Sequence, residues 1–232
     1  MGVMIWKLIA VFLIGGIVGL DTTAAWQMLF SHPLISCPSV GWLFGDLQTG
    51  LFMGLILELL WLKDLPVGGA RFPEGNIGSL VTTFLAITLK QNTTFPEGWI
   101  VLVVLIFGVM VAYGGSQSIA LMRTNNIILI RKADRFADQG KSRKVACMHL
   151  LGVLHAFIHG ALLTTMSVGV GLALLPPLLN ILPTNITIPL QNIKLSLLAV
   201  GFGVMAYFFL SRRNWIYLIF GIGIGGFLAL TI

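Results

Sequence analysis

Five stretches of this chain, 4–20, 99–122, 146–175, 194–211 and 214–232, run almost free of charge for the length of a membrane-spanning helix. About 20 apolar residues cross the ~30 Å of bilayer hydrocarbon. A backbone placed there must close its own hydrogen bonds, which repeated apolar runs of this length do as helices. The prediction is an all-α integral membrane protein, a polytopic helical bundle. Composition agrees: 9% of residues are charged, against about 25% in soluble domains. The 232 residues suit one membrane domain over 1–232 and leave no room for a second folded unit.

The stretch 34–90 is apolar too, yet Pro38, Gly41, Gly45, Gly50, Gly54, Pro66, Gly68, Gly69, Pro73 and Gly75 interrupt it. Each break frees backbone N–H and C=O groups that lipid cannot satisfy. Broken or re-entrant segments are therefore expected here, shielded by protein or lining a watery cavity, as at substrate sites of transporters. The breaks also defeat any counting of spans before residue 99.

The net charge of +6 does not indicate nucleic acid, because the basic residues fall in short connections between apolar runs. Arg123, Arg131, Lys132, Arg135, Lys141, Arg143 and Lys144 are half of the 14 basic residues. The connection 123–144 that carries them is cytoplasmic by the positive-inside rule. Counting onward returns Arg212 and Arg213 to the same side and leaves the C-terminus outside. Within that connection, NNIILIRKADRFADQGK has near-helical apolar spacing and a basic face. It is either a helix lying on the membrane or docking a partner, or a solvated connector. PPLLNILPTNITIPLQNI, 176–193, has four prolines and suggests an irregular external connection. The N-terminal run is taken as a retained first helix rather than a signal peptide. Cys37 and Cys147 lack metal or redox spacing and are expected to be buried small hydrophobes. The glycines of GVMVAYGG and GIGIGG suggest close helix packing.

Acids within apolar runs carry the functional signal, since a charge at a helix centre costs roughly 2.5–3.5 kcal/mol on insertion scales. In GLILELLWLKDLPVGGARFPEG, Glu58 has apolar neighbours on both sides. Helical spacing puts Gly54 one turn below it and would leave space for a ligand whose hydroxyls the carboxylate accepts. An ion pair with Lys63 or Arg71 is the structural alternative. Asp46 follows a glycine and precedes a helix-like run, so a structural capping role is expected. Asp64 and Glu74 flank the turn LPVGGARFP, either a re-entrant tip that reaches substrate or an external loop.

His149, His155 and His159 lie on one predicted helix, and the last two share a face at metal-ligand spacing. A third ligand would have to come from elsewhere, with Glu58 the nearest candidate in kind, so interior hydrogen-bonded histidines are favoured over a metal enzyme. The chain holds no G-x-S-x-G elbow and no P-loop, and no cofactor is expected.

Residues 32–79 resemble the membrane IIC subunit of mannose-family (mannose, fructose, sorbose) sugar phosphotransferase systems. The resemblance rests on His32-Pro33-Leu34, Gly45-Asp46 with Thr49-Gly50, Gly54 with Glu58, Pro66-Val67-Gly68 and Pro73-Glu74, in the family's order and spacing. It extends into RKADRFADQGKSRKVACMHL. It implies an all-helical permease subunit of the bacterial inner membrane that carries sugar across. It also implies a hetero-oligomer with a IID membrane subunit and a cytoplasmic IIAB component that phosphorylates the sugar. Glu58, Gln27, Glu74 and Asp64 are then expected around the sugar, with Asp46, Gly54, Pro66, Gly68 and Pro73 as structural motif positions. Where the family often has an acid followed by Gln or Glu before the histidine step, this chain has Trp26-Gln27. Trp26 there either stacks on a sugar face or marks a weakened site. Loss of transport in favour of a regulatory role, with the basic connection holding a partner, is the alternative reading.

Overall fold

The computed structural model describes residues 2–62, 72–182 and 190–208, with single positions between 216 and 223. Seven helices follow in chain order: α1 (Gly2–Thr23), α2 (Pro33–Leu43), α3 (Leu47–Trp61), α4 (Gly75–Asn92), α5 (Glu97–Asp138), α6 (Ser142–Ile181) and α7 (Leu190–Phe208). Among the described residues there is no strand, and α1, α5 and α6 are long and apolar enough to cross a membrane.

Helix α4 is the centre of the bundle and touches α1, α2, α3, α5 and α6. Its Ile77, Leu80, Val81, Leu85 and Ile87 are buried, and so are Ser79, Thr82 and Thr83. Those three hydroxyls donate to the carbonyls of Gly75, Gly78 and Ser79 within the helix. A helix this rich in hydroxyls lacks the uniform apolar surface lipid requires, and protein on every side supplies the shielding its sequence calls for.

The breaks before α4 build a short hairpin. At ~1.5 Å per residue, the 11 residues of α2 span about 16 Å and the 15 of α3 about 22 Å, both short of a ~30 Å bilayer. Pro33 starts α2, where its missing N–H is no loss. The turn back uses Gly45 at φ +82°, a left-handed conformation that favours glycine. Gly41 and Gly50 bring the two backbones together, since a Cβ on either would lie 2.9 Å from the other's Cα. Gly54 does likewise: its Cβ would meet the Pro33 carbonyl oxygen at 2.7 Å. Gly54 therefore does not leave ligand space beside Glu58, because α2 fills it. Glycines also seat α1 on α6, where a Cβ on Gly19 would lie 2.8 Å from the Gly160 Cα.

Two connections differ from expectation. Helix α5 continues through the basic stretch to Asp138 and α6 begins at Ser142, so 123–144 is the end of a helical hairpin. It is neither a separate helix on the membrane nor an irregular connector. No Gly or Pro occurs between Arg123 and Asp138, and nothing stops the helix until Gly140 at φ +66°. Helices of 42 and 40 residues measure about 63 and 60 Å, twice the bilayer. Likewise Pro176 and Pro177 lie inside α6, which ends only at Ile181. Proline's fixed φ of about −65° continues a helical path at the loss of two backbone bonds, and buried Leu175 and Leu179 hold that turn against the core. Cys37 is buried as expected, whereas Cys147 is exposed on the projecting hairpin. Lys63, Asp64, Pro66, Gly68, Arg71, Asn185, Arg212, Arg213 and most of 214–232 lie outside the described residues.

Candidate functional site

A cavity of about 380 Å³ opens where the end of α1, the α2–α3 hairpin and the start of α4 meet. Asp21, Gln27, His32, Glu58, Trp61, Glu74 and Asn76 line it, at the lower end of the roughly 300–1,000 Å³ usual for ligand sites.

Glu58 lies one turn before the end of α3. Its Oε1 accepts from His32 Nδ1 at 2.8 Å and its Oε2 from the Leu34 N–H at 3.1 Å. Leu34 is in the first turn of α2, whose N–H groups have no partner within the helix. The carboxylate thus caps the neighbouring helix and favours its positive end, which explains how an acid persists in this apolar run. Its described partners are His32 and Leu34.

The segment that leads from α1 to α2 is folded tightly beside the cavity. Trp26, Gln27 and Leu29 have φ of +67°, +50° and +67°, each a conformation that costs a non-glycine residue about 1–3 kcal/mol. Asp21, 3% exposed, holds the loop: its two oxygens accept from the Met28 and Ser31 N–H groups at 2.8 Å each. This geometry turns Gln27 onto the cavity wall and leaves Trp26 exposed, not lining the cavity. The stacking role considered for Trp26 is not seen.

Glu74 precedes α4 and is 2% exposed. Its N–H donates to the Ala112 carbonyl of α5 at 2.8 Å, which fixes the Pro73-Glu74 step against that helix. Gly115 makes this approach possible, since a Cβ there would lie 2.8 Å from the Glu74 Cβ. Glu74 Oε1 has no donor among the described residues. A buried carboxylate oxygen left without a partner costs stability unless something donates to it, and this one lines a cavity. Around it, Asn76 Nδ2 donates to Thr22 Oγ1 at 3.1 Å and Trp61 Nε1 to Ser79 Oγ at 3.1 Å. The Arg123 guanidinium lies 5.4 Å over the Phe72 ring.

The other candidates stand apart. Asp46 caps α3, accepting from the Thr49 N–H at 3.0 Å and its hydroxyl at 2.8 Å. His155 Nδ1 donates to Asn126 Oδ1 at 2.7 Å. His159 Nε2 donates to Ser118 Oγ at 2.9 Å, that hydroxyl itself donating to the Gly115 carbonyl. His149 is exposed. Both paired imidazoles donate to an oxygen between α5 and α6, and Glu58 is engaged elsewhere by His32 and Leu34. No group of three or more potential ligands occurs among the described residues. Asp21, His32 as the partner of Glu58, and Asn76 were not singled out from sequence. Asp21 had a signal, an acid at the end of the first apolar run, but a helix end at the interface accounts for it equally well.

Comparison with known proteins places these features in a family. Residues 5–232 match the sequence model for the phosphotransferase-system sorbose-specific IIC component. The chain is 29% identical over 174 residues to the fructose permease IIC component of Bacillus subtilis (strain 168), covering 75% of this chain and 62% of that protein. It is 26% identical to the sorbose-specific EIIC component of Klebsiella pneumoniae, covering 97% and 86%. A 57-residue stretch, 25% of this chain, is 44% identical to 43% of a putative N-acetylgalactosamine permease IIC component 2 of Escherichia coli (strain K12). Among solved structures, the mannose transporter ManYZ in complex with microcin E492 superposes with a TM-score of 0.60 at 22% identity, covering 97% of this chain and 94% of that one. A second chain, described as a membrane protein, superposes at 0.71 with the same identity and coverage. These two likenesses concern the fold.

Proposed function

Because the chain belongs to the sorbose-specific IIC family of phosphotransferase-system membrane components, we propose that it carries a hexose or amino sugar across a bacterial inner membrane. Sugar binds in the cavity between Glu58, Gln27 and Glu74. The observation that carries this reading is the buried Glu74 Oε1 on the cavity wall, which has no partner among the described residues. A sugar hydroxyl or amine supplies the missing donor. Gln27 offers an amide with both donor and acceptor. Glu58, fastened by His32 and Leu34, presents its remaining lone pairs in a fixed direction. Asp64 is proposed as a fourth contact; it lies outside the described residues.

Translocation in this reading needs a IID membrane subunit, and a cytoplasmic IIAB component phosphorylates the arriving sugar. The basic hairpin end 123–144 faces the cytoplasm. The chain itself contributes binding and movement and no phosphoryl chemistry.

The test is sugar binding by the chain co-expressed with a IID subunit, with hexoses and amino sugars compared for wild type and Glu58→Gln. Binding that the substitution removes supports the site and names the substrate. An assembled complex that binds none of them points instead to a regulatory protein of the same fold, its basic hairpin holding a partner.

A further inference from the structure

Any site that hands a polar solute across a membrane must open to each face in turn. The cavity at Glu58 and Glu74 lies at one end of the α3–α4 pair. At the opposite end, about 22 Å away along the 15 residues of α3, the α2–α3 turn is fastened to α4 by two side chains, Lys90 and Gln91. Lys90, in the last turn of α4, places Nζ 3.0 Å from Asp46 Oδ2, 3.3 Å from Thr49 Oγ1 and 3.6 Å from Glu97 Oε1. One ammonium thereby joins the cap of α3, the end of α4 and the start of α5. Beside it, Gln91 Nε2 donates to the Phe44 carbonyl at 2.9 Å, and Phe44 packs edge-on against Phe84.

Behind this junction is a second, smaller cavity of about 200 Å³ lined by Gln48, Thr49, Lys90, Glu97 and Lys194. The Lys194 ammonium lies 5.0 Å over the Phe52 ring. The α3–α4 pair thus has a cavity at each end, with the buried Met53, Leu57, Ile77 and Leu80 in the same pair of helices. Burial alone would raise the Asp46 carboxyl. The two Thr49 donors and Lys90 outweigh it and hold the group below its ordinary value, so the pair stays charged at neutral pH.

We propose that Lys90 is the latch of a gate at the end of the bundle opposite the sugar cavity. Its ion pair with Asp46 keeps that end closed in this conformation, and release of the pair lets the α2–α3 turn part from α4 and α5. The 200 Å³ cavity is then the solvent path that opens, and Lys194, Gln48 and Glu97 are its polar lining. Lys90 is a positioning residue, since it sits an α3 length from the proposed sugar contacts. The inference rests on the transport reading for its purpose but not for its geometry.

The experiment reads access directly. In a Cys147→Ser background, whose one remaining native thiol is that of buried Cys37, a Leu62→Cys thiol on the sugar-cavity wall is reacted with a membrane-impermeant maleimide in right-side-out and in inside-out vesicles. With Lys90 intact, labelling is expected predominantly from one face. Lys90→Gln is expected to raise labelling from the other face at least five-fold, and Lys90→Arg to restore the original pattern. An unchanged pattern in Lys90→Gln overturns the proposal. If Lys90→Gln does not accumulate in the membrane, Asp46→Asn, which removes the other charge of the pair and keeps a capping oxygen, tests the same point. Asp46→Asn should likewise raise labelling from the opposite face; an unchanged pattern in that variant overturns the latch. Sugar binding measured on the same samples separates failure of the gate from failure of the transport reading. Lost binding with altered access indicts the site, and retained binding with unaltered access indicts the latch.

Discussion

Glu58 shows how one side chain reconciles two demands that conflict in lipid. Its carboxylate persists because it takes a histidine N–H and a helix-end N–H, and those same bonds aim it at the cavity. Glu58→Gln keeps the shape but leaves one acceptor oxygen where there were two, so either His32 or the Leu34 N–H loses its partner. Sugar binding is expected to fall at least 10-fold, or about 1.4 kcal/mol or more, within the range for a hydrogen bond to a charged group. Isothermal titration of the co-expressed complex checks it. Asp21 is the residue whose loss should spread furthest, since it alone answers two N–H groups of a loop with three left-handed residues. Asp21→Asn is expected to lower the unfolding temperature in detergent and to weaken sugar binding through Gln27, whereas Trp26→Gly, which relieves one strained position, should leave the temperature unchanged or raise it. Gly115→Ala would place a methyl against the Glu74 side chain; loss of binding without loss of membrane insertion is the expected result, checked by titration beside a quantitative membrane blot.

At the scale of elements, the structure depends on backbone approach more than on side-chain volume. Lipid tails are as apolar as leucine, so little hydrophobic force presses helices together in a bilayer, and close packing between small residues takes its place. Gly41 with Gly50 in the α2–α3 hairpin and Gly19 with Gly160 between α1 and α6 are two such contacts. Gly50→Leu is expected to separate α2 from α3 and so pull Leu34 from Glu58, with overpacking of about 1–3 kcal/mol. Gly203, which has nothing within 4 Å of a built Cβ, is the matched control. Thermal denaturation of the two purified variants decides whether the hairpin contact carries that energy. The glycines were legible as packing positions, but their partners were not. Gly54 illustrates the gap: its spacing from Glu58 suggested a ligand space, and only the position of α2 revealed the Pro33 carbonyl in that space.

For the whole molecule, the projecting α5–α6 hairpin sets orientation. Seven basic residues lie on 123–144, and exposed Cys147 stands just beyond them on α6. With the basic end in the cytoplasm, Cys147 is expected to react with an impermeant maleimide in inside-out vesicles and to stay unlabelled in intact cells. The reverse result would invert the topology and place the sugar cavity toward the other face. Below the charged tip the hairpin exposes Ile127, Ile128 and Ile130, so the two helices do not bury their own apolar surface there.

What the amino-acid sequence determined on its own was the solvent and the class of fold. Long runs without charge admit only helices in lipid, and glycine and proline between them mark where helices break. It also marked the chemistry-bearing acids, because a charge in an apolar run is costly wherever it sits. Tertiary structure alone decided which of those acids line a cavity. Glu58 and Glu74 are 16 positions apart in the chain and meet because α3 and α4 run in opposite directions, while Asp46, equally acidic, ends as a cap at the far end. It also decided that the basic stretch is helix: local composition there is permissive of loop and helix alike, and continuity with α5, seamed against α6, selects the helix. Periodicity reports which residues share a face of one element, whereas a site is made where faces of different elements converge, and that depends on contacts remote in the chain.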